Sequence, residues 1–319
     1  MRAETARALK MTVLLTICLG ITGCVTTEHA MKQASGCKYE VVENWPQVPE
    51  GIVVDRWLGV ATDSSGKVYV IPVIDGKGND VFIFAPDGKY LDRWNSDVLK
   101  QGHGLRIHND HVWMTDLEHH QVLEFTLDGK LQRAFGERGN PGESETQFKY
   151  PTDIAFAANG DIYVADGYGN SRVVCLSPQG KFKFAWGTRG DKPGEFFMPH
   201  NIVIDRRDRV YVVDRGNQRV QVFDAGGRFL SEWVSPARPF GLAVDREQIV
   251  YVADGDGHRV MIFNPDGSLL SKFGERGDKP GQFQVPHSIH VDENGNVYVA
   301  EVADTGVDAA PRFQKFTRK

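Results

Sequence analysis

Short apolar runs alternate with polar turns along the chain. Runs rich in Val, Ile, Tyr and Phe are separated by turns that contain Gly, Asn and Asp, as in DIYVADGYGNSRVVCLSPQGKF, RVYVVDRGNQRVQVFDAGGRF and IVYVADGDGHRVMIFNPDGSL. This alternation predicts β-strands joined by hairpins. Tight turns are predicted at PDGK, LDGK, PQGK, AGGR and PDGS. No amphipathic segment of helix length interrupts the pattern, so the sequence predicts an all-β fold.

The strand pattern is itself repeated. Six units run from Val53 to the C-terminus, and their inner strands begin with similar motifs: WLGVATD, GHGLRIHND, PTDIAFA, PHNIVID, PFGLAVD and PHSIHVD. Units of roughly 40 to 50 residues are typical of the blades of a β-propeller. We therefore predict one domain, a six-bladed β-propeller over residues 39–319, in which residues 39–45 close the ring against the last blade.

The N-terminus has the features of an export signal. A positively charged start, with Arg2, Arg7 and Lys10, precedes an apolar run over residues 11–21 that is too short to span a bilayer. The run ends at Thr22-Gly23-Cys24, which resembles the site at which bacterial lipoproteins are cleaved and lipidated.

This pattern predicts a signal peptide over residues 1–23, a lipid on Cys24 and a tether over residues 24–38. The protein would then be an exported bacterial lipoprotein that contacts the membrane only through its lipid. Val25-Thr26-Thr27 carries no acidic residue, which favours the periplasmic side of the outer membrane or the cell surface. The alternative is a plain secretory signal in which Cys24 is present by chance.

Composition narrows the chemistry further. Besides Cys18 in the signal and Cys24, the chain has only Cys37 and Cys175, which form a disulfide or stay unpaired and are too few for a set of metal ligands. The formal net charge is −5, with acidic and basic residues interspersed. Because no basic stripe is present, we expect no nucleic-acid partner. We also expect a monomer, because propellers of this size are often monomeric.

Three histidines occupy the same position in alternate units. The six residues at the aligned position of the inner-strand motifs are Leu58, His103, Thr152, His200, Phe240 and His287. Alternate units of a six-membered ring lie about a third of a turn apart, so the three imidazoles can converge near the mouth of the channel. Three imidazoles with an open fourth position are typical of catalytic zinc sites. The alternative is that they are polar channel residues hydrogen-bonded to carbonyls.

Two other side chains depart from the repeat beside this position. In unit three Tyr168 lies two residues after the aspartate that ends the strand, and this unit has one extra residue before Asn170. In unit four Arg215 directly follows the corresponding aspartate. Arg215 could hold a substrate carboxylate, and Tyr168 could hydrogen-bond a substrate hydroxyl or exchange a proton with it. Both positions are equally compatible with surface loops. We predict that His119 is solvated and that His120 packs between blades.

The units also resemble a known repeat. An aspartate followed a few residues later by an arginine and a β-branched residue is the signature of the NHL repeat, and the chain carries it at Asp166…Arg172, Asp214…Arg219 and Asp254…Arg259. The resemblance implies that the propeller is of the NHL type.

From about residue 45 onward, the motifs resemble one family in particular, peptidyl-α-hydroxyglycine α-amidating lyase. The similar segments are GHGLRI, WMTDLEHHQVLEF, YPTDIAF, IYVADGYGNSRVV, MPHNIVID, VVDRGNQRVQVF and VPHSI. The resemblance implies that catalytic zinc is bound by the three aligned histidines, His103, His200 and His287. It also implies that Tyr168 and Arg215 line the site, and that calcium binds the backbone carbonyls of Val60 and Leu105.

Three positions depart from the family pattern. The family's catalytic arginine after the inner strand of blade one is missing from residues 70–74, which read VIPVI. The aspartate that completes the calcium site is Ser288, and a cysteine that forms a disulfide in the family is Gly169. Calcium binding and activity on peptide precursors therefore stay open.

Two functions follow from these observations. The first is a zinc-dependent lyase that cleaves a carbinolamide, carried by a small molecule or a peptide C-terminus, to an amide and glyoxylate. The second is a non-catalytic exported propeller that binds a ligand or a protein partner on its face. Metal-assisted ester or lactone hydrolysis is a third, but it usually needs carboxylates around calcium, and the sequence predicts no such cluster.

Overall fold

The computed structural model describes residues 38–234, 236–304 and 310–319. The predicted signal peptide, the lipid site Cys24 and Cys37 lie outside the described residues. Cys175 is buried in the third blade. Among the described residues, no helix has the length and apolar character needed to cross a membrane.

The described chain folds into six four-stranded antiparallel sheets, which confirms the predicted six-bladed propeller. An N-terminal strand, β1 (Tyr39–Val41), precedes blade one, which consists of β2 (Arg56–Thr62), β3 (Val68–Val73), β4 (Asp80–Phe84) and β5 (Tyr90–Asn95). Blade two consists of β6 (Gly102–His108), β7 (His111–Asp116), β8 (Gln121–Thr126) and β9 (Leu131–Phe135). Blade three consists of β10 (Asp153–Phe156), β11 (Ile162–Asp166), β12 (Arg172–Leu176) and β13 (Phe182–Trp186).

The second half of the ring repeats the same order. Blade four consists of β14 (Pro199–Ile204), β15 (Val210–Asp214), β16 (Arg219–Phe223) and β17 (Phe229–Trp233), with a short 3-10 helix at Arg215–Asn217. Blade five consists of β18 (Pro239–Val244), β19 (Val250–Asp254), β20 (Arg259–Phe263) and β21 (Leu269–Phe273). Blade six consists of β22 (Val285–Val291), β23 (Val297–Val302), β24 (Phe313–Arg318) and the N-terminal strand β1. The first strand of each blade packs against its counterparts around the central channel.

The N-terminal strand closes the ring, as the sequence predicted. Tyr39 pairs with Arg318 and Val41 pairs with Phe316, so β1 is the outermost strand of the last blade. Trp45 then packs its ring against Phe313, with the centroids 4.9 Å apart.

A contact between an aromatic ring and a glycine turn recurs between neighbouring blades. An aromatic side chain at the outer edge of one blade lies against the glycine of the turn between the third and fourth strands of the next blade. The pairs are Trp45 with Gly88, Trp94 with Gly129, Phe135 with Gly180, Trp186 with Gly227, and Trp233 with Gly267. A side chain at the turn would meet the ring, which explains why the sequence places glycine there.

A carboxylate at the end of the second strand fixes how the chain enters each inner strand from blade two onward. Its side chain accepts a backbone N–H from the residues that lead into the inner strand. The bonds run from Lys100 to Asp116 (2.8 Å), Lys149 to Asp166 (2.8 Å), Phe197 to Asp214 (2.7 Å), Arg238 to Asp254 (2.9 Å) and Gln284 to Glu301 (2.6 Å). We call this contact the carboxylate clamp.

The NHL signature corresponds to an ion pair within this clamp. Arg172, Arg219 and Arg259 donate from Nε to the aspartates of their own blades at 2.9, 2.8 and 2.9 Å. Because the aspartates are buried, an arginine partner offsets the cost of removing their charge from water. Burial nevertheless raises the pKa of Asp166 and Asp214 above the usual value.

The aromatic–glycine contact predicts a difference between two alanine substitutions. Gly180 and Gly194 have φ values of +79° and +84°, but a Cβ at Gly180 would lie 1.9 Å from Phe135, whereas a Cβ at Gly194 meets nothing within 4 Å. We expect Gly194→Ala to lower the free energy of unfolding by about 1 kcal/mol, from backbone strain alone. Gly180→Ala should cost about 1–3 kcal/mol more. Equal decreases in the free energy of unfolding for the two variants, measured by urea denaturation, would contradict a role for the aromatic–glycine contact.

The clamp of blade six predicts a pH dependence of stability. Burial raises the pKa of Glu301 from the usual 4.5 to about 7, despite the opposing effects of Gln284, Arg312 and Gln314. As the pH rises from about 4.5 to about 7, the unfolded chain releases this proton and the folded protein keeps it, so stability falls across this window. Glu301→Gln keeps an oxygen acceptor and removes the titration. We expect the variant to gain about 1–3 kcal/mol relative to the wild type between pH 5 and pH 8, measured by urea unfolding. An unchanged pH dependence would show that Glu301 does not contribute.

Candidate metal centre

A β-bulge aims the three histidines into the channel. In blade four Pro199 faces Asp214 and Asn201 faces Val213, so His200 is an extra residue in the ladder between β14 and β15. His287 lies in the same kind of irregularity in β22, and His103 in a similar one in β6. A bulged residue has no partner across the ladder, and its side chain is turned out of the regular alternation. The sequence placed the histidines just before the inner strands, whereas the structure includes them in the strands.

The bulge brings the three imidazoles together. Their ring centroids are 4.9 to 5.0 Å apart, and the three candidate ligand nitrogens lie within 4.8 Å of one another. The side chains are buried, with His103, His200 and His287 exposed by 6, 1 and 6%. Three buried histidines from alternate blades therefore lie close enough to bind one metal ion.

The hydrogen bonds of two histidines favour the form that binds metal. His103 Nδ1 donates to the carbonyl oxygen of Thr152, and His200 Nδ1 donates to that of Phe240, both at 2.7 Å. A carbonyl oxygen only accepts, so the proton of each ring is on Nδ1, and the Nε2 lone pair is available to a metal. The alternative prediction, that the histidines are hydrogen-bonded to carbonyl groups, also holds for His103 and His200. In both rings Nδ1 makes that bond and Nε2 is left for a metal.

Electrostatics keeps the three rings neutral. Burial, together with Arg215, lowers the pKa of His103 to about 4. Burial also lowers the pKa of His200 and His287 well below the usual value, and a neighbouring imidazole adds to the effect in each case. A metal ligand must be the neutral imidazole, so no proton has to be displaced near neutral pH.

The donor set fits a borderline metal ion such as zinc. Three neutral imidazoles are typical ligands of a zinc site with an open position. Nδ1 of His287 is buried and has no hydrogen-bond partner among the described residues. His287 also lines the cavity above the cluster, so its ring is accessible to an incoming ion.

Tyr168 and Arg215 lie in the same site rather than in surface loops. The hydroxyl of Tyr168 is 2.8 Å from His200 Nε2 and 3.1 Å from His103 Nε2, and Arg215 Nη1 donates to it at 3.2 Å. The guanidinium of Arg215 lies 3.9 Å from the ring centroid of Phe240. Burial raises the pKa of Tyr168, although Arg215 opposes this shift.

A glycine allows Tyr168 to reach this position. A Cβ on Gly167 would lie 1.6 Å from the carbonyl oxygen of Pro199, in the residue just before His200. Only glycine permits this close approach of two backbones. At Gly167 the chain of blade three therefore passes directly against the backbone that precedes His200 of blade four.

A second arginine of the site, Arg56, was not predicted from the sequence. A cavity of about 560 Å³ opens above the histidines, and Arg56 of β2 lines it together with Tyr168 and Arg215. Arg56 is paired with Val73 in the β2–β3 ladder. Blade one therefore brings a guanidinium to the cavity from its inner strand, although residues 70–74 carry none. No motif of the repeat includes Arg56, which directly precedes WLGVATD.

The histidine pair of blade two does not take part in the site. His120 is buried against Tyr150 of the linker to blade three, with ring centroids 4.5 Å apart, so its predicted packing between blades is confirmed. The prediction that His119 is solvated was wrong. Its Nδ1 lies 2.9 Å from Asp116 and 3.1 Å from the carbonyl oxygen of Val98, because the clamp carboxylate draws the ring inward.

The residues present do not fit a calcium ion. Calcium prefers six to eight oxygen ligands, usually with carboxylates among them. Val60 and Leu105 lie on adjacent inner strands, but Ser288 provides no carboxylate beside them. Apart from the three histidines, the described residues contain no other close group of three His, Cys, Asp or Glu side chains.

Comparison with known proteins agrees with this architecture. Residues 142–255 match a family model described as a 6-bladed beta-propeller. A probable peptidyl-alpha-hydroxyglycine alpha-amidating lyase of Caenorhabditis elegans is 39% identical over 153 residues, which are 46% of this chain and 43% of that protein. Human NHL repeat-containing protein 3 is 33% identical over 213 residues, which are 61% of this chain and 59% of that protein.

The protein is an NHL-repeat six-bladed β-propeller homologous to these two groups. The matched part of the NHL propeller spans about half the length of its curated relatives. A streptogramin B lyase structure covers 89% of this chain and 98% of its own, with a TM-score of 0.60 and 15% identity. At that identity the likeness concerns the fold alone.

The geometry predicts that the NHL propeller binds one divalent metal ion through the three histidines. We expect His200→Ala to abolish stoichiometric binding of zinc or cobalt, measured by equilibrium dialysis and elemental mass spectrometry, because two imidazoles hold an ion much more weakly than three. The control is His111→Ala, a histidine that lies 3.6 Å from Glu124 outside the cluster. Equal metal content in both variants would exclude this site.

Proposed function

We propose that this propeller is a zinc-dependent carbon–nitrogen lyase that cleaves a carbinolamide to an amide and glyoxylate. The observation that carries the proposal is the presence of an unneutralised guanidinium beside three neutral, convergent imidazoles. Within the described residues Arg215 forms no ion pair, and its Nε is buried without a hydrogen-bond partner. A partly buried guanidinium without a carboxylate partner is costly unless an anionic ligand satisfies it.

The acidic groups of the cavity leave this charge available. Asp55 accepts the backbone N–H of Gly76 at 2.9 Å, and Glu118 lies 3.6 Å from Lys100. Arg56 has no ion pair or side-chain hydrogen bond within the described residues. A substrate carboxylate is therefore the group that the cavity can best accept, and two guanidinium groups are available to it.

The reaction needs no redox cofactor and no water. The substrate hydroxyl loses its proton, the carbon–oxygen bond becomes a carbonyl, the carbon–nitrogen bond breaks, and the leaving nitrogen takes a proton to give the amide. A zinc ion held by His103, His200 and His287 would supply the electrostatic stabilisation of the hydroxyl oxygen as it loses its proton.

The chain's own residues bind and orient the substrate. We assign Arg215 to the carboxylate, because its Nη1 already points to the centre of the site and the Phe240 ring fixes the plane of its guanidinium. We assign Tyr168 to the hydroxyl, because its oxygen lies between His103, His200 and Arg215. It is the group of this chain best able to hold a proton at the substrate oxygen.

Similarity to NHL repeat-containing protein 3 favours a second candidate. That relative is matched over more of this chain than the lyase and is named for its repeats. A non-catalytic propeller would use the same cavity to bind a carboxylate ligand. A measurement of glyoxylate release distinguishes the two candidates, because only the lyase would release it.

We further propose that the protein is exported and held by a lipid on Cys24, at the periplasmic side of the outer membrane or the cell surface. The supporting observation is the apolar run that ends at Thr22-Gly23-Cys24. The substrate would then be an extracytoplasmic small molecule or peptide C-terminus, taken by a monomer. Retention of a Cys24→Ala variant in the membrane fraction would contradict this.

The proposed role of Arg215 predicts a selective loss. With N-benzoyl-α-hydroxyglycine as the substrate, we expect Arg215→Gln to raise KM for glyoxylate release by about 10- to 100-fold. KM for the corresponding uncharged primary amide should change little, because that substrate has no carboxylate to pair. The control is Arg246→Gln, an arginine of the turn before β19 that pairs with Glu247. A wild-type protein that holds one zinc and releases no glyoxylate from this substrate or from a short peptidyl-α-hydroxyglycine would be a binding propeller.

A further inference from the structure

Arg106 occupies the channel behind the histidines. It lies on β6, three residues beyond His103. A second cavity, of about 280 Å³, opens at the far ends of the inner strands, and Arg106, Phe156 and His290 line it. The guanidinium therefore lies between the histidine cluster and the opposite end of the ring. Its side chain is 15% exposed.

The guanidinium of Arg106 binds the inner strands of two other blades. Its Nη2 donates to the carboxylate of Asp153 in blade three. The same nitrogen lies 3.2 Å from both the side-chain oxygen of Asn201 and the carbonyl oxygen of Ile202 in blade four. Nε donates to the carbonyl oxygen of Ile154 at 3.2 Å. The acceptors around this one side chain are thus a carboxylate, an amide oxygen and two carbonyl oxygens.

The acceptors of Arg106 extend the network to a fourth blade. Asp153 also accepts the backbone N–H of Ile202 at 3.1 Å, and Asn201 accepts that of Leu242 in blade five at 2.8 Å. The inner strands of blades two, three, four and five are therefore joined by a network centred on one partly buried cation. Oxygen groups of this kind are those that a divalent ion takes when it ties protein segments together.

The network is adjacent to residues that hold the metal site. Asp153 follows Thr152, whose carbonyl accepts from His103. Asn201 follows His200 directly. A shift of either residue would move an imidazole or its hydrogen-bond partner. Groups behind a metal ligand set its orientation, and their loss typically weakens metal binding 10- to 100-fold.

We propose that Arg106 is a built-in cation that takes the place of a structural metal ion in the channel and positions the inner strands of blades two to five for the histidine site. Its positive charge opposes the binding of a divalent ion in this part of the channel. Arg106 is a positioning residue, because its side chain contacts the inner strands and not the imidazoles.

The first experiment separates positioning from stability. Arg106→Met removes the charge and keeps much of the side chain. The matched control is Arg209→Met, an arginine that pairs with Asp205 at 2.7 Å and donates to the carbonyl oxygen of Pro265, away from the histidines. Both variants should lower Tm. We expect only Arg106→Met to weaken zinc binding, by about tenfold or more in a chelator competition.

Equal zinc affinity in Arg106→Met and the wild type would overturn the proposal, whatever the change in Tm. If Arg106→Met does not fold, Asn201→Ala tests the same network, because it keeps the Arg106–Asp153 pair and removes the link to Leu242. It should also weaken zinc binding, and an unchanged affinity would overturn the proposal equally.

The second experiment tests the absence of a structural metal. Excess calcium or a calcium chelator should leave the Tm of wild-type protein unchanged. The double variant Arg106→Ala/Ser288→Asp removes the cation and adds a carboxylate, so its Tm should rise with added calcium. A calcium-dependent Tm in the wild type would overturn the proposal.

Both readouts are independent of turnover. The proposal rests on the metal site of the proposed function but not on its reaction. A protein that binds zinc through this network and releases no glyoxylate would contradict the lyase alone.

Discussion

The carboxylate clamp is the interaction on which the site depends. A bulged residue has no ladder partner to hold it, so the direction of its side chain depends on how the chain arrives at the bulge. Asp116, Asp214 and Glu301 bind that arriving segment in the three blades that carry histidines. Blades three and five have the same clamp with Thr152 and Phe240 at the aligned position. The clamp is therefore a general feature of the fold. In blades two, four and six it also positions a histidine.

Burial gives the site its chemical character. The same removal from water that keeps the imidazoles neutral makes the partly buried guanidinium of Arg215 strongly attractive to an anion. Burial, together with Arg215 and Arg56, lowers the pKa of His103 and His287, so both imidazoles stay neutral. A carboxylate ligand would balance the positive charge of the two guanidinium groups.

The sequence predicted the fold and the histidines because both follow from periodicity. Each blade repeats the same contacts, so the repeat determines the ring, and three histidines in register imply convergence. Tyr168 and Arg215 were visible as departures from the repeat, but their burial was not, because a loop that crosses to another blade leaves no local pattern.

Arg56 and Arg106 could not be assigned from the sequence. Each acts on residues of other blades, and its neighbours along the chain give no indication of which blades those are. From the sequence alone, an isolated arginine in a strand is expected to be exposed to solvent. His119 was misassigned for a related reason, since its partner Asp116 also serves as a clamp and draws the ring inward.

The closure by β1 has a consequence for how the molecule folds. Tyr39 and Arg318 are paired although almost the whole chain separates them, and the backbone N–H of Lys319 donates to the carbonyl oxygen of Lys38 at 2.9 Å. A contact between such distant residues carries a large loop-closure cost and forms late. The first described strand therefore has no sheet to join until the last strand has been synthesised. A chain that stopped short of β24 would leave β1 without a partner and the edge of β23 open to other molecules.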